Sequence, residues 1–239
     1  MESSPSSLGT IFEEVLKLTD DDREKLLKLL EQTSLSAIIQ SANIVSERLA
    51  FLNGLEQLVH DKVNKPFVKE RSQLHRLLAH NLWIFGDEYL LGGDDVRLST
   101  VLKQHLAIIG DPTWDTIDTS KMKDLRDVPD LVLWKKFMRG KGDKFEFVVI
   151  ELKRPLVKIS QTELVQTKKY ATKIMANTNF DKTKCHYKFI AISDEIADDA
   201  LEDVNQSDRQ PGHVLVGKHH DIFAYRWSEI LHGTKVRLE

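Results

Sequence analysis

Residues 128–155, VPDLVLWKKFMRGKGDKFEFVVIELKRP, constrain the fold more than any other stretch of the chain. Two runs rich in Val, Leu, Ile and Phe flank a short segment holding Gly140 and Gly142, the pattern of an antiparallel hairpin around a tight turn. The second run, Phe145 to Ile150, is nearly continuous and fits a well-covered strand, with Pro155 marking its end. Yet that strand closes on Glu151 and Lys153. Burying those charges is costly unless each meets a partner or a metal.

The hairpin also aligns its acids. Asp130 lies in the first strand and Glu151 closes the second, so their carboxylates fall side by side on neighbouring strands. Such a pair repels unless a cation lies between its members. A hard divalent ion resolves the repulsion: magnesium, with manganese as a substitute, takes oxygen ligands, keeps several waters and engages phosphate. The backbone carbonyl of Leu152 adds a further oxygen to Asp130 and Glu151. Lys153 points to the same face as Glu151, because strand side chains alternate. It is placed to orient or help deprotonate an attacking water and to offset charge on a pentacovalent phosphate. Gln166 and Tyr170 share one face of the following helix, in reach of the metal-bound water, Lys153 or the phosphate backbone. Glu151-Leu152-Lys153 is the only Asp/Glu-x-Lys triplet and Pro129-Asp130 the only Pro-Asp pair, and finding both on one hairpin is more specific than either. The alternative is a salt bridge at a sheet edge beside an incidental Pro-Asp turn.

Elsewhere the pattern alternates between helix and strand. The first sixty or so residues read as helical, with TDDDREKLLKLLEQ opening on acidic N-terminal residues. After Ser34, an apolar stripe from Leu35 through Ile38, Ile39 and Leu49 to Val59 predicts one long helix. It is covered either within a bundle or by oligomerisation. Asn64 to Pro66 should break that helix, giving a helical N-terminal region over 1–64, regulatory or oligomerising, and a second domain over 65–239. In the second domain, a helix with Leu74, Leu77 and Leu78 inward precedes EYLLGG, a short strand and turn, and DDVRLSTVLKQHLAI, a helix. Beyond the hairpin, Ser160 and Glu163 have capping-box spacing ahead of a helix. CHYKFIAIS reads as a strand, EIADDALEDVNQ as a helix, HVLVGKHHDIFAYRW as two short strands and the last residues as a helix or frayed tail. GDPTWDTIDTSKMKDLRD, directly before Asp130, reads as a long polar loop that could gate the site. The expected fold class is α/β, a mixed sheet flanked by helices and preceded by an all-helical segment.

Composition excludes several classes. With 41% hydrophobic residues in 239, the chain can bury a substantial core. Its single cysteine, Cys185, gives no intramolecular disulfide and no thiolate cluster for zinc. No apolar run approaches the roughly 20 residues of a membrane span, and MESSPSS lacks a signal-peptide pattern. A reducing, cytoplasmic setting is therefore expected. A net charge of -3 argues against coating nucleic acid over the whole surface, so any phosphate-binding patch must be local. Lys153, Arg154, Lys158, Lys168, Lys169 and Lys173 form the candidate patch, or else a solvated helix face. No His-Glu-x-x-His, Gly-x-x-x-x-Gly-Lys-Ser/Thr or Gly-x-Ser-x-Gly motif is present, which argues against zinc hydrolysis, nucleotide hydrolysis and a serine nucleophile.

VPDLVLW, FVVIELKRP and QTKKY together resemble the PD-(D/E)XK nuclease superfamily, with the Gln-x-x-x-Tyr element of its RecB-like members. ERSQLHRLLAHNLWIFGDEY ahead of that core resembles, more narrowly, the nuclease domain of the Shedu anti-phage family, from about Glu70 to the C-terminus. The resemblance implies a restriction-endonuclease-like fold, a catalytic core of Asp130, Glu151 and Lys153 supported by Gln166, and cleavage of phage or plasmid DNA with a divalent metal. The candidate DNA contacts, from local charge and helix spacing, are Arg154, Lys158, Lys169, Tyr170 and Lys173; some members of the superfamily place an acid from the preceding helix near the metal, a position Glu70 could fill if it is not a solvated glutamate on an amphipathic helix. An oligomer, specifically a tetramer, and control by a variable N-terminal region follow from the same likeness. The chain would then be a compact member or a fragment of a longer one. Two alternatives stand beside this expectation: a non-catalytic module that binds nucleic-acid ends or scaffolds an oligomer, and RNA as the substrate.

Overall fold

A computed structural model describes Thr10 and residues 13–61, 74–139 and 142–239, and divides the chain into two compact units, 1–51 and 52–239. Helix α1 (Asp20–Gln32) is capped by Thr19, whose hydroxyl accepts from the Asp22 N–H, and its first turn carries Asp20, Asp21 and Asp22 against the positive end of the helix. Helix α2 (Leu35–His60) follows, and only its last part supplies core residues: Leu52, Leu55 and Val59.

The second unit is built on a six-stranded mixed sheet, in the order β1-β2-β3-β4-β6-β5. The hairpin is present as β2 (Leu131–Arg139) and β3 (Gly142–Leu152), paired antiparallel from Leu131↔Ile150 to Arg139↔Gly142. The expected turn residues 140 and 141 lie outside the described residues. Strand β1 (Leu90–Asp94) adds antiparallel to β2, and β4 (Cys185–Ser193) and β6 (His220–Arg226) extend β3 in parallel. Strand β5 (His213–Val216) closes the far edge antiparallel to β6.

Alternation along β3 assigns its two faces. Phe145, Phe147 and Val149 join a core with α4 (Leu98–Ile108), α5 (Gln161–Ala176) and α6 (Asp198–Val204), through residues such as Leu102, Leu164, Ile174 and Val204. Val148 faces the other way, toward a cavity bounded by Ile84 and by α7 (Trp227–Leu238). On that side Lys235 of α7 pairs with Glu56 of α2 at 2.7 Å, and Thr234 donates to the Ile84 carbonyl at 2.9 Å.

Several elements differ from the sequence expectation. The described part of the helix around Leu74 to Leu78 is α3 (His75–Ala79); Leu78 and the adjoining Leu74 are buried but Leu77 is exposed. Strand β1 runs through both glycines rather than ending before them. Gly92 lies under the Trp134 indole, where a Cβ would come within 3.1 Å of the ring. Residues 195–197 are extended because Ile159 and Ile196 bridge in parallel, which delays α6 to Asp198. The polar segment before Asp130 is not structureless: Asp111 caps a 3-10 turn at Pro112–Trp114, a second turn covers Lys123–Leu125, and Leu125 is buried. No helix among the described residues is long and apolar enough to cross a membrane.

Candidate active site

The site forms where β2 begins and β3 ends. Asp130 immediately precedes Leu131, whose partner Ile150 immediately precedes Glu151, so the two acids enter the sheet's edge together. Both are buried, Asp130 at 3% exposure and Glu151 at 6%. Asp130 Oδ2 accepts from the Leu152 backbone N–H at 2.7 Å. Glu151 Oε1 accepts from Lys153 Nζ at 3.0 Å and from Gln166 Nε2 at 2.6 Å, and its Oε2 accepts from the Tyr170 hydroxyl at 2.7 Å. Lys153 Nζ also donates to Gln166 Oε1 at 2.8 Å, closing a ring of three side chains. Glu151, Lys153, Gln166 and Tyr170 meet because β3 turns its odd-numbered side chains toward α5, while Gln166 and Tyr170 lie one helical turn apart on the facing side.

Electrostatics explains who holds the protons. Burial, then the charge and hydrogen bond of Glu151, and finally the charge of Asp130 push the Tyr170 hydroxyl far above its ordinary range. Tyr170 is therefore a fixed donor to Glu151. At 3% exposure it supports the carboxylate from behind, and the sequence expectation of a DNA contact there gains no exposed surface.

The cations around the site are distributed differently from a bare basic patch. Lys169 and Lys173 of α5 both reach Asp127, at 3.2 and 2.6 Å. Burial alone would raise the Asp127 carboxyl, and hydrogen bonds from Lys173 and Lys169 outweigh it, holding the group below the usual carboxylate range. Lys158 pairs with Glu195 at 2.5 Å and Lys168 with Asp203 at 3.5 Å, while Arg154 is exposed. Glu70 lies outside the described residues.

Two supports escaped sequence reasoning. His75, 3% exposed, places Nε2 2.8 Å from the Asp130 carbonyl and 2.6 Å from Asp94 Oδ1. Both neighbours accept, so Nε2 carries the hydrogen. The Asp95 N–H reaches the same Asp130 carbonyl at 2.9 Å. A lone histidine on a leucine-rich helix and an Asp-Asp pair after two glycines carry no motif, and only the pairing of β1 with β2 brings them to Asp130. Asp127 escaped for the same reason, since its lysines lie on a distant helix.

Among the described residues no three His, Cys, Asp or Glu side chains are grouped around a metal-sized space. The oxygen set that remains is Asp130, Glu151 and the Leu152 carbonyl. Extending the hairpin register by two residues sets Leu152 opposite Pro129, which has no N–H for that carbonyl. This hard-oxygen set suits magnesium or manganese rather than a soft-ligand metal. No protein-family model, curated protein or solved structure matches the chain. Its class is thus set by fold and site alone: an α/β protein with a six-stranded mixed sheet, in which buried Asp130 and Glu151 at the strand ends meet half-buried Lys153 and, from α5, Gln166 and Tyr170.

Proposed function

We propose that the chain is a metal-dependent DNA endonuclease of the restriction-endonuclease-like fold, related to the Shedu anti-phage nucleases and acting in antiviral defence as an oligomer. The observation that carries this proposal is the joining of Glu151, Lys153 and Gln166 through contacts of 2.6 to 3.0 Å, with Asp130 held by the Leu152 N–H at 2.7 Å across the same hairpin end. Asp130, Glu151 and the Leu152 carbonyl would hold magnesium or manganese, which supplies Lewis-acid polarisation of a phosphoryl oxygen. Lys153 orients the attacking water, takes up part of the charge gathering on the phosphate and is itself held by Gln166 Oε1. Tyr170 fixes the Glu151 carboxylate. Arg154, Lys158, Lys169 and Lys173 contribute the cations that attract the DNA backbone.

A second function has one observation in its favour. Glu151 is nearly buried and its Oε1 already accepts from two protein donors, as in a self-satisfied structural cluster. A non-catalytic module would keep that cluster for stability and bind nucleic-acid ends without cutting.

Incubating linear, supercoiled and single-stranded DNA, and matched RNA, with magnesium, manganese or chelator separates the two. The nuclease reading expects metal-dependent cleavage of DNA that disappears in both Glu151→Gln and Lys153→Ala. DNA binding without cleavage under every metal, equal in the native chain and both variants, would establish the module instead.

A further inference from the structure

The sheet face turned away from Glu151 bears a cavity of about 340 Å³ that shares no residue with the cluster. Its floor is Val148 of β3, Lys188 and Ile190 of β4, and Phe223 and Tyr225 of β6, all turned to the same side by strand alternation. The volume falls within the range of roughly 300–1,000 Å³ typical of small-molecule sites.

Three features suggest what occupies it. The Phe223 and Tyr225 rings stack with centroids 5.5 Å apart and planes 15° apart, and His213 stacks on the other side of Phe223 at 4.3 Å and 19°. Such a stack presents a flat aromatic surface on which a planar heterocycle can continue. Burial, then the charge of Glu229, pushes the Tyr225 hydroxyl up to about 12, so it is a donor, and it makes no hydrogen bond among the described residues.

Gly233 lines the opposite wall from within α7. Glycine is among the poorest helix formers, and a Cβ at this position would meet nothing within 4 Å. Packing within the chain therefore does not require glycine here, and its missing side chain enlarges the cavity.

Two cations line the cavity, Lys188 and Arg237. Among the described residues the Arg237 guanidinium donates to neutral oxygens, those of Trp83, Ile84, Gly233 and Thr234, and meets no carboxylate. Lys188 pairs with Glu146 at 3.0 Å, and Lys135, 3.3 Å from the same carboxylate, pairs more closely with Glu88 at 2.8 Å. Glu229, the carboxylate among the lining residues, is engaged by the Arg226 N–H at 2.6 Å.

We propose that this cavity binds a mononucleotide-sized planar aromatic anion, its ring extending the Phe223–Tyr225 stack into the space left by Gly233 and its phosphate meeting Lys188 and Arg237. Titration calorimetry on the full chain, in chelator and without DNA, tests this independently of any nuclease activity. The probes are AMP, GMP, CMP and UMP, with adenosine and inorganic phosphate as the two halves of a ligand. At least one mononucleotide should bind saturably at one per chain and at least tenfold more tightly than either half. Gly233→Leu should weaken it tenfold or more, Arg237→Gln should abolish the preference for nucleotide over nucleoside, and Lys103→Met, at an exposed position of α4 on the opposite face, should leave binding unchanged. The Arg237 variant keeps the test decisive if Gly233→Leu fails to fold. Absence of binding by all four mononucleotides overturns the proposal. So does binding that survives both cavity variants, or that is lost with Lys103.

Discussion

Among the described residues Lys153 is the cation bonded to the buried Glu151 carboxylate, so removing it measures how much that charge pair matters. The side chains of Lys153 and Glu151 are 12% and 7% exposed and meet at 3.0 Å. Lys153→Met keeps most of the apolar stem and deletes the charge. Breaking a buried pair from one side costs about 3–5 kcal/mol, because the partner is left uncompensated. The lower end, about 3 kcal/mol, applies here, since Glu151 keeps Gln166 at 2.6 Å and Tyr170 at 2.7 Å. Urea unfolding followed by tryptophan fluorescence is the assay, and all four tryptophans lie within 52–239, so it reports the unit that contains the site. With a slope of roughly 3 kcal/mol per molar, the midpoint should fall by about 1 M. Glu151→Gln combined with Lys153→Met removes both charges and should recover to within about 1 kcal/mol of the native chain. Millimolar magnesium should then stabilise Lys153→Met more than the native protein, because a bound cation replaces the missing charge. A midpoint within 0.3 M, roughly 1 kcal/mol, of the native value would refute the charge argument. Equal magnesium effects on both proteins would refute the metal assignment alone.

Three further outcomes are expected. Asp127→Asn releases Lys169 and Lys173, so DNA affinity in chelator, read by fluorescence anisotropy, should rise several-fold and its dependence on salt steepen by about one to two counterions; unchanged affinity and slope would remove both lysines from the DNA surface. Burial holds His105 down from 6.5 to about 4, so the unfolded chain binds a proton between those values that the folded chain resists. Stability present above pH 6.5 should therefore be lost as pH falls toward 4, by about 3 kcal/mol, and His105→Gln should flatten that slope in urea titrations repeated across the range. Burial, aided by the charge of Asp181, pushes the Cys185 thiol up to about 12, so iodoacetamide should label the native protein at least a hundredfold more slowly than the urea-unfolded chain at pH 8; comparable rates would show that the strand carrying Cys185 opens readily.

The hairpin and the helix after it were legible because each carries a local signal. Alternating apolar residues set β2 and β3 in register, and Ser160 with Glu163 forms the capping box that starts α5. Those two features fix the faces on which Glu151, Lys153, Gln166 and Tyr170 lie, so the central cluster could be read from spacing. What spacing cannot give is contact between distant segments. Nothing local to α5 shows that two of its basic residues, Lys169 and Lys173, are bonded to Asp127 in the loop before β2. Leu77 has the same hydropathy as Leu78, yet of the two only Leu78 is covered, because neighbouring residues of α3 lie on different faces. Likewise, nothing local in EIADDALEDVNQ foretells that Ile159 will capture residues 195–197 in a bridge.

The Pro-Asp pair acquires a physical reason from the backbone. Lys153 N–H bonds to the Ile192 carbonyl on the β4 side, so Leu152, one residue back, turns both its N–H and its carbonyl toward β2. There the ladder has run out, since the last paired residue of β2 is Leu131. A buried N–H left without a partner is costly, and the Asp130 side chain fills the vacancy at 2.7 Å. The Leu152 carbonyl faces the same edge, where Pro129 has no hydrogen to give. Proline thus terminates the ladder while aspartate satisfies only the donor half of the exposed peptide group. The result is an acceptor beside Asp130 and Glu151, the latter already accepting from Lys153, Gln166 and Tyr170. The Leu152 carbonyl is the oxygen that would join those two carboxylates around a divalent cation, and its place arises from strand geometry whatever family the chain resembles.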